Sequence, residues 1–132
     1  MIRRATAADL PEVEGIQSQS PEAAQWPVAD YLEHEFYVSE CAGRIAGYAV
    51  WRDVSGGEWE LLNIAVAADF RRRGIARELL GELPAGRIFI EVRESNCAAR
   101  ALYEGTGFHV VGRRRAYYNT PAEDGIVMEL KR

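Results

Sequence analysis

The stretch Leu62-Asn-Ile-Ala-Val66 followed by Phe70-Arg-Arg-Arg-Gly-Ile-Ala76 constrains this chain most. An apolar strand end, a basic turn with a glycine and a helix start follow in succession. Upstream, residues 36–41 and 45–54 read as a hairpin about Ala42-Gly43-Arg44, and Ser55-Gly56-Gly57 leads into a further strand over 58–66. Downstream, the helix from Gly74 to about Leu83 is halted by Pro84-Ala85-Gly86, and residues 87–92 read as a strand. That helix covers roughly 15 Å at 1.5 Å per residue, enough to reach a neighbouring parallel strand with nothing to spare. Residues 2–5 form a short first strand, and Thr6 caps a helix striped by Leu10, Val13 and Ile16. A short second helix over 28–35 carries Tyr31 and Leu32 inward. Ser95 caps a last helix to about Gly105, and residues 108–118 pair with 126–130 across a polar loop. The order β-α-α-β-β-β-α-β-α-β-β is an antiparallel meander followed by one β-α-β crossover. It implies a mixed α/β domain, with a mostly antiparallel central sheet of about seven strands flanked by about four helices.

The 132 residues, 48% apolar and 27% charged, suit one globular domain spanning 1–132. A net charge of −4 argues against a whole-surface nucleic-acid binder, which is ordinarily basic. The longest apolar runs, 45–51 and 61–68, are interrupted by Gly47 and Asn63 and are too short to span a bilayer. Met1-Ile-Arg-Arg4 is followed by Thr6-Ala-Ala-Asp9 where a secretory leader needs an apolar stretch. Cys41 and Cys97 make no disulfide framework, and no His, Cys and carboxylate spacing suggests a metal. The expectation is a cytoplasmic protein, monomeric or weakly dimeric, with no direct nucleic-acid or membrane partner.

Unpaired N–H groups at a helix start favour an anion. Gly74 lets main chain approach phosphate without a Cβ in the way, and Ala76 keeps the first turn slim. Arg71, Arg72, Arg73 and Arg77 add positive charge. The alternative is a solvated arginine face beside a helix-cap glycine. The turn lacks Gly-Lys-Ser/Thr, which disfavours nucleotide hydrolysis, and it lacks G-x-G-x-x-G. A diphosphate ligand with a different reactive end fits.

On Arg71-Arg-Arg-Gly-Ile-Ala76, placed after an apolar strand, the chain resembles the GNAT superfamily of acetyl-CoA-dependent N-acetyltransferases. Ile90-Glu-Val-Arg-Glu-Ser-Asn96, Ala101-Leu-Tyr-Glu104, Gly107-Phe108, Arg113-Arg-Arg-Ala-Tyr-Tyr118 and Glu123-Asp-Gly-Ile-Val-Met128 make it similar to the RimI-type ribosomal-protein alanine N-acetyltransferases. The likeness covers residues 58–130 well and the first 57 in outline.

The resemblance implies acetyl transfer from acetyl-CoA, without a metal, to a peptide N-terminus, that of a small-subunit ribosomal protein. A net negative chain suits such a basic peptide. Glu91 is the candidate base, through water; alternation sets it on the face opposite Ile88, Ile90 and Val92. The resemblance implies Tyr103 as acid to the leaving thiolate and as a CoA contact, and Asn96 as a CoA contact that also caps its helix. It further assigns Ile64, Ala65, Val66, Arg71, Arg72, Arg73, Gly74, Ile75, Ala76 and Arg77 to the cofactor. Trp26 is expected either to face the acceptor peptide or to pack, and Tyr117 and Tyr118 either to line the peptide channel or to fill an edge strand. RimI-type proteins carry an aromatic-Pro-Trp turn after the first helix, whereas this chain has Ala24-Gln-Trp26 and then Pro27. Two alternatives stand beside alanine N-terminal transfer. One is a small amine or lysine acceptor. The other is a non-catalytic acyl-CoA-binding or nucleic-acid contact module using Arg71–Arg73 and Arg113–Arg115.

Overall fold

Alternation and glycine turns become strands at nearly the expected bounds in the computed structural model, which describes residues 1–119 and 122–132. Among the described residues, seven strands pair in the order β1-β2-β3-β4-β5-β7-β6. They are β1 (Ile2–Arg4), β2 (Glu35–Cys41), β3 (Arg44–Ser55), β4 (Glu58–Val66), β5 (Arg87–Arg93), β6 (His109–Asn119) and β7 (Ala122–Lys131). The expected polar loop shrinks, because β6 and β7 extend to Asn119 and from Ala122; its residues 120 and 121 lie outside the described residues. The chain divides into two compact units. The first is Met1–Arg52 with Leu61–Leu83, and the second is Asp53–Glu60 with Pro84–Arg132.

In the first unit, β1 and β3 flank β2, each antiparallel to it. Residues 45–51 of β3 are buried on both faces, consistent with a continuous apolar run in a central strand. The 3-10 turn Ala7–Asp9 leads into α1 (Leu10–Ser18). Thr6 sits at the expected cap. Its N–H donates to the Asp9 carboxylate at 2.8 Å, and the same carboxylate takes two 2.9 Å bonds from the Arg3 guanidinium. That pairing holds the Asp9 carboxyl down at about 2. The second helix is a 3-10 helix, Val28–Glu33. Tyr31 is buried as expected, but Leu32 is 44% exposed. Side chains three apart eclipse in 3-10 geometry, so Tyr31 shares a side with Val28 and its neighbour turns outward.

The crossover helix α2 (Ile75–Leu80) is shorter than the expected ten-residue span. Past it, Glu82 and Leu83 donate to the carbonyls of Leu79 and Leu80, three residues back, so the α pattern gives way to turns. Ile75, Leu79 and Leu80 are its buried side chains.

In the second unit, Glu58, Trp59 and Glu60 pair in parallel with Arg87, Ile88 and Phe89, and β7 lies antiparallel to both β5 and β6. Ile88, Ile90 and Val92 are buried and the alternate β5 residues are less so, as the period of two requires. α3 (Cys97–Gly105) is capped by Asn96, not Ser95: the Asn96 carbonyl accepts from the Ala99 N–H at 3.2 Å. The Ser95 hydroxyl is instead bound to the Glu123 carboxylate at 3.0 Å.

Candidate active site

The first unit holds Trp26, Ile64, Ala65, Val66 and the whole basic turn. The 3-10 turn Ala68–Phe70 delivers the chain to Arg71, and the backbone then turns left-handed at Arg72 (φ 64°) and Gly74 (φ 77°). A left-handed residue followed by the helical Ile75 is a backbone sequence of the kind that forms anion-binding nests of N–H groups. No atom lies within 4 Å of where a Gly74 Cβ would stand, so a side chain there would occupy open space above the turn.

The arginines of this turn are not equivalent. Arg71 donates from Nε to the Val66 carbonyl at 3.3 Å and from Nη2 to Ser20 Oγ at 3.3 Å, tying the turn to β4 and to the segment that follows α1. The guanidinium of Arg73 lies over the Phe70 ring at 5.2 Å, and that of Arg44 lies over the same ring at 4.9 Å. Arg72, Arg73 and Arg77 are exposed. On β4 the Ile64 N–H is taken by Asn63 Oδ1 at 2.9 Å. Ala67 donates to the Ala46 carbonyl at 2.7 Å, so by the alternation of strand hydrogen bonds the Val66 N–H faces away from β3. Trp26 is 47% exposed.

The second unit holds Glu91, Asn96, Tyr103, Tyr117 and Tyr118. Between Arg114, opposite Gly125, and Tyr118, opposite Glu123, β6 carries extra residues that β7 lacks. This bulge is built on Ala116, left-handed at φ 51°, whose N–H donates to Asp124 Oδ1 at 2.8 Å. It turns Tyr117 back over Gly125, where a Cβ would stand 3.3 Å from the Tyr117 ring and 3.2 Å from Glu91 Cγ. Glycine is therefore what lets these side chains meet.

Glu91 accepts a hydrogen bond from Tyr117 and pairs with Arg114 Nε at 3.3 Å. Burial, aided by Glu60, pushes its carboxyl above the usual range against the opposing pull of Arg114 and the Tyr117 hydrogen bond. Arg114 also covers the Tyr117 ring at 4.8 Å, and Arg93 covers Tyr118 at 4.3 Å. Arg113 is ion-paired with Glu94 and Asp124. The arginines at 113 and 114 are thus engaged by carboxylates.

Tyr103 is buried on α3 with its ring 5.4 Å from that of Phe108, and burial pushes its phenol well above its ordinary value. Asn96 spends its carbonyl on the helix cap, leaving its amide group for other partners.

Sequence reasoning missed Arg114 and Gly125 as neighbours of Glu91, and it missed Asn63. Arg114 stood within a charge run, and the bulge removes the period-two pattern that would have aligned it with Gly125.

The acetyltransferase (GNAT) family is matched by residues 5–108. The ribosomal protein bS18-alanine N-acetyltransferase of Escherichia coli is 41% identical over 97 residues, which cover 67% of this chain and 65% of that enzyme. The match therefore spans slightly under two thirds of that relative's length. The N-alpha-acetyltransferase RimI of Mycobacterium tuberculosis is 36% identical over 116 residues, or 78% of this chain and 73% of that one. The crystal structure of the ribosomal-protein-S18-alanine N-acetyltransferase from Escherichia coli superimposes with a TM-score of 0.81 at 32% identity, over 98% of this chain and 92% of its own.

Proposed function

The chain belongs to the GNAT acetyltransferase family and has its fold, and from that premise we propose that it acetylates the α-amine of a protein N-terminus, specifically an N-terminal alanine of a small-subunit ribosomal protein. The likeness to the bS18-alanine enzyme, 41% over 97 residues, carries this conclusion.

Acetyl-CoA supplies the thioester. The open space at Gly74, the left-handed turn and the exposed Arg72, Arg73 and Arg77 fit its diphosphate. Because Asn63 occupies the Ile64 N–H, the Val66 N–H is the β4 donor suited to the thioester carbonyl, where negative charge develops. Arg71 braces the next peptide, 66–67, by holding the Val66 carbonyl.

An α-amine has a pKa of about 7.7–8.0, so a sizeable fraction is already neutral near pH 7. Glu91 takes the remaining proton through a water, and a carboxyl raised by burial is a stronger base than a solvated one. The amine nitrogen bonds to the acetyl carbon as the carbon–sulfur bond breaks. Tyr103, kept protonated by burial, donates a hydrogen bond and then its proton to the departing sulfur, while the acetylated nitrogen gives up its extra proton to water, which restores the phenol and leaves free thiol and neutral amide. Tyr117, Tyr118 and Trp26 face the acceptor peptide.

The test is a panel of acceptors with acetyl-CoA: a peptide with free N-terminal alanine, the same peptide blocked, and a blocked peptide with internal lysine. Acetylation of the first alone is expected. Transfer to the internal lysine would move the acceptor class, and no transfer to any would leave only an acyl-CoA-binding module.

A further inference from the structure

Beneath the exposed 24–26 segment lies a buried polar cluster that the chemistry above does not use. Gln17 of α1, Tyr31 of the 3-10 helix, Tyr48 of β3 and Asn63 of β4 are all buried. The Tyr31 hydroxyl donates to Gln17 Oε1, and Asn63 Nδ2 lies 2.9 Å from Tyr31 Oη and 3.1 Å from Tyr48 Oη. Burial raises both phenols, so the cluster stays uncharged.

Its outward bonds go to one place. Asn63 Nδ2 donates to the Ala24 carbonyl at 2.9 Å, and Gln17 Nε2 donates to the Trp26 carbonyl at 2.7 Å. The 24–25 and 26–27 peptides are thus held from inside the unit. Gln25 itself turns inward, with Nε2 3.1 Å from the Ser20 carbonyl and 3.2 Å from those of Gln17 and Ala23. A segment exposed at residues 24–26 therefore has its main chain fixed. The Asn63 amide group faces Ala24 while its oxygen takes the Ile64 N–H, so one side chain links this segment to the strand that ends at Val66.

Taking the acetyl transfer proposed above as given, we infer that Asn63 and Gln17 are positioning residues for acceptor recognition. They hold the 24–26 segment, with Trp26 displayed to the acceptor peptide, in fixed register with the β4 main chain. Side-chain hydrogen bonds of this kind give preorganisation: losing them leaves two loop carbonyls unpaired and lets the segment move. The acceptor is bound less well, and the acyl donor is unaffected.

Asn63→Leu and Gln17→Met remove the bonds at similar volume, and Val38→Ala, a fully buried site on β2, serves as a destabilised control. The expected result is a rise of about tenfold in acceptor KM for both loop variants, with kcat and the KM for acetyl-CoA within about twofold in Gln17→Met, which leaves the Ile64 N–H held by Asn63. The rise is the same from pH 6 to 9, because the cluster does not titrate there. Val38→Ala lowers the melting temperature with no such split. Hydrogen exchange over residues 20–30 gives an activity-independent readout, and both variants are expected to speed it selectively. Unchanged exchange in that segment, or kinetic constants that fall together as in the control, would overturn the inference. If the wild type acetylates no amine, the function proposed above fails, while the exchange still decides whether Asn63 and Gln17 hold the segment.

Discussion

Two regions of the molecule, one in each compact unit, are made of different material. Around Gly74 the groups proposed for the coenzyme include main-chain amides, set by a left-handed turn and by a short helix whose buried side chains anchor it. Around Glu91 they are side chains, and their properties come from burial and neighbours: a carboxyl raised by desolvation and checked by Arg114, and a phenol raised by desolvation. Amides do not titrate. The first region is therefore expected to act alike at every working pH, and the second to impose the pH dependence. A main-chain site fails by steric or conformational insult, a side-chain site by loss of one functional group.

The largest effect falls on the side-chain region. Glu91→Gln keeps the shape and removes the base, and turnover is expected to drop about 100-fold at pH 6.5. At pH 9 the acceptor amine is already neutral and the loss shrinks. An equal loss at both values, read from steady-state rates, would take the base role away from Glu91. Tyr103→Phe ranks next, with turnover lower by about 30-fold and acetyl-CoA affinity by calorimetry nearly unchanged. Unchanged turnover would show that the buried ring serves packing against Phe108 alone.

Much of the first region was legible in the chain, and much of the second was not. Arg-x-x-Gly-x-Ala after an apolar strand marks a turn that only a residue tolerant of positive φ makes cheaply, so the Gly74 geometry follows from identity and position. Glu91 was placed correctly by alternation, because β5 keeps a clean period of two. Its partners were hidden because β6 does not: the extra residues between Arg114 and Tyr118 fold into a bulge, and no periodic count pairs Tyr117 with Gly125. Leu32 was misplaced for a similar reason, since a 3-10 helix repeats at three rather than 3.6 residues. Asn63 was noticed only as a polar interruption of an apolar run. Its four polar neighbours come from segments far apart in the sequence, which no local pattern joins.

Gly74→Val tests the main-chain region with a smaller effect. A β-branched residue at φ 77° is strained, and its side chain would fill the space left open there. Acetyl-CoA binding is expected to weaken about tenfold by calorimetry, equally at pH 6.5 and 9. Gly74→Ala carries similar backbone strain with less bulk and should lose less. Affinity unchanged in both variants would separate the turn from the coenzyme.

The smallest effect joins electrostatics to rate. The charge of Arg114 at 3.3 Å favours the ionised form of Glu91, while burial and Glu60 favour the protonated form. Arg114→Gln removes the first influence, and the Tyr117 hydrogen bond alone then opposes the rest. The Glu91 carboxyl must move further up, so the acidic limb of kcat/KM shifts to higher pH. At pH 6 the variant is expected to be about threefold slower, and at pH 9, where Glu91 is ionised in both proteins, the two rates converge. Arg114→Lys, which keeps the charge, should restore most of the original profile. A limb that stays in place in Arg114→Gln would mean that the group titrating there is not the carboxylate this arginine touches.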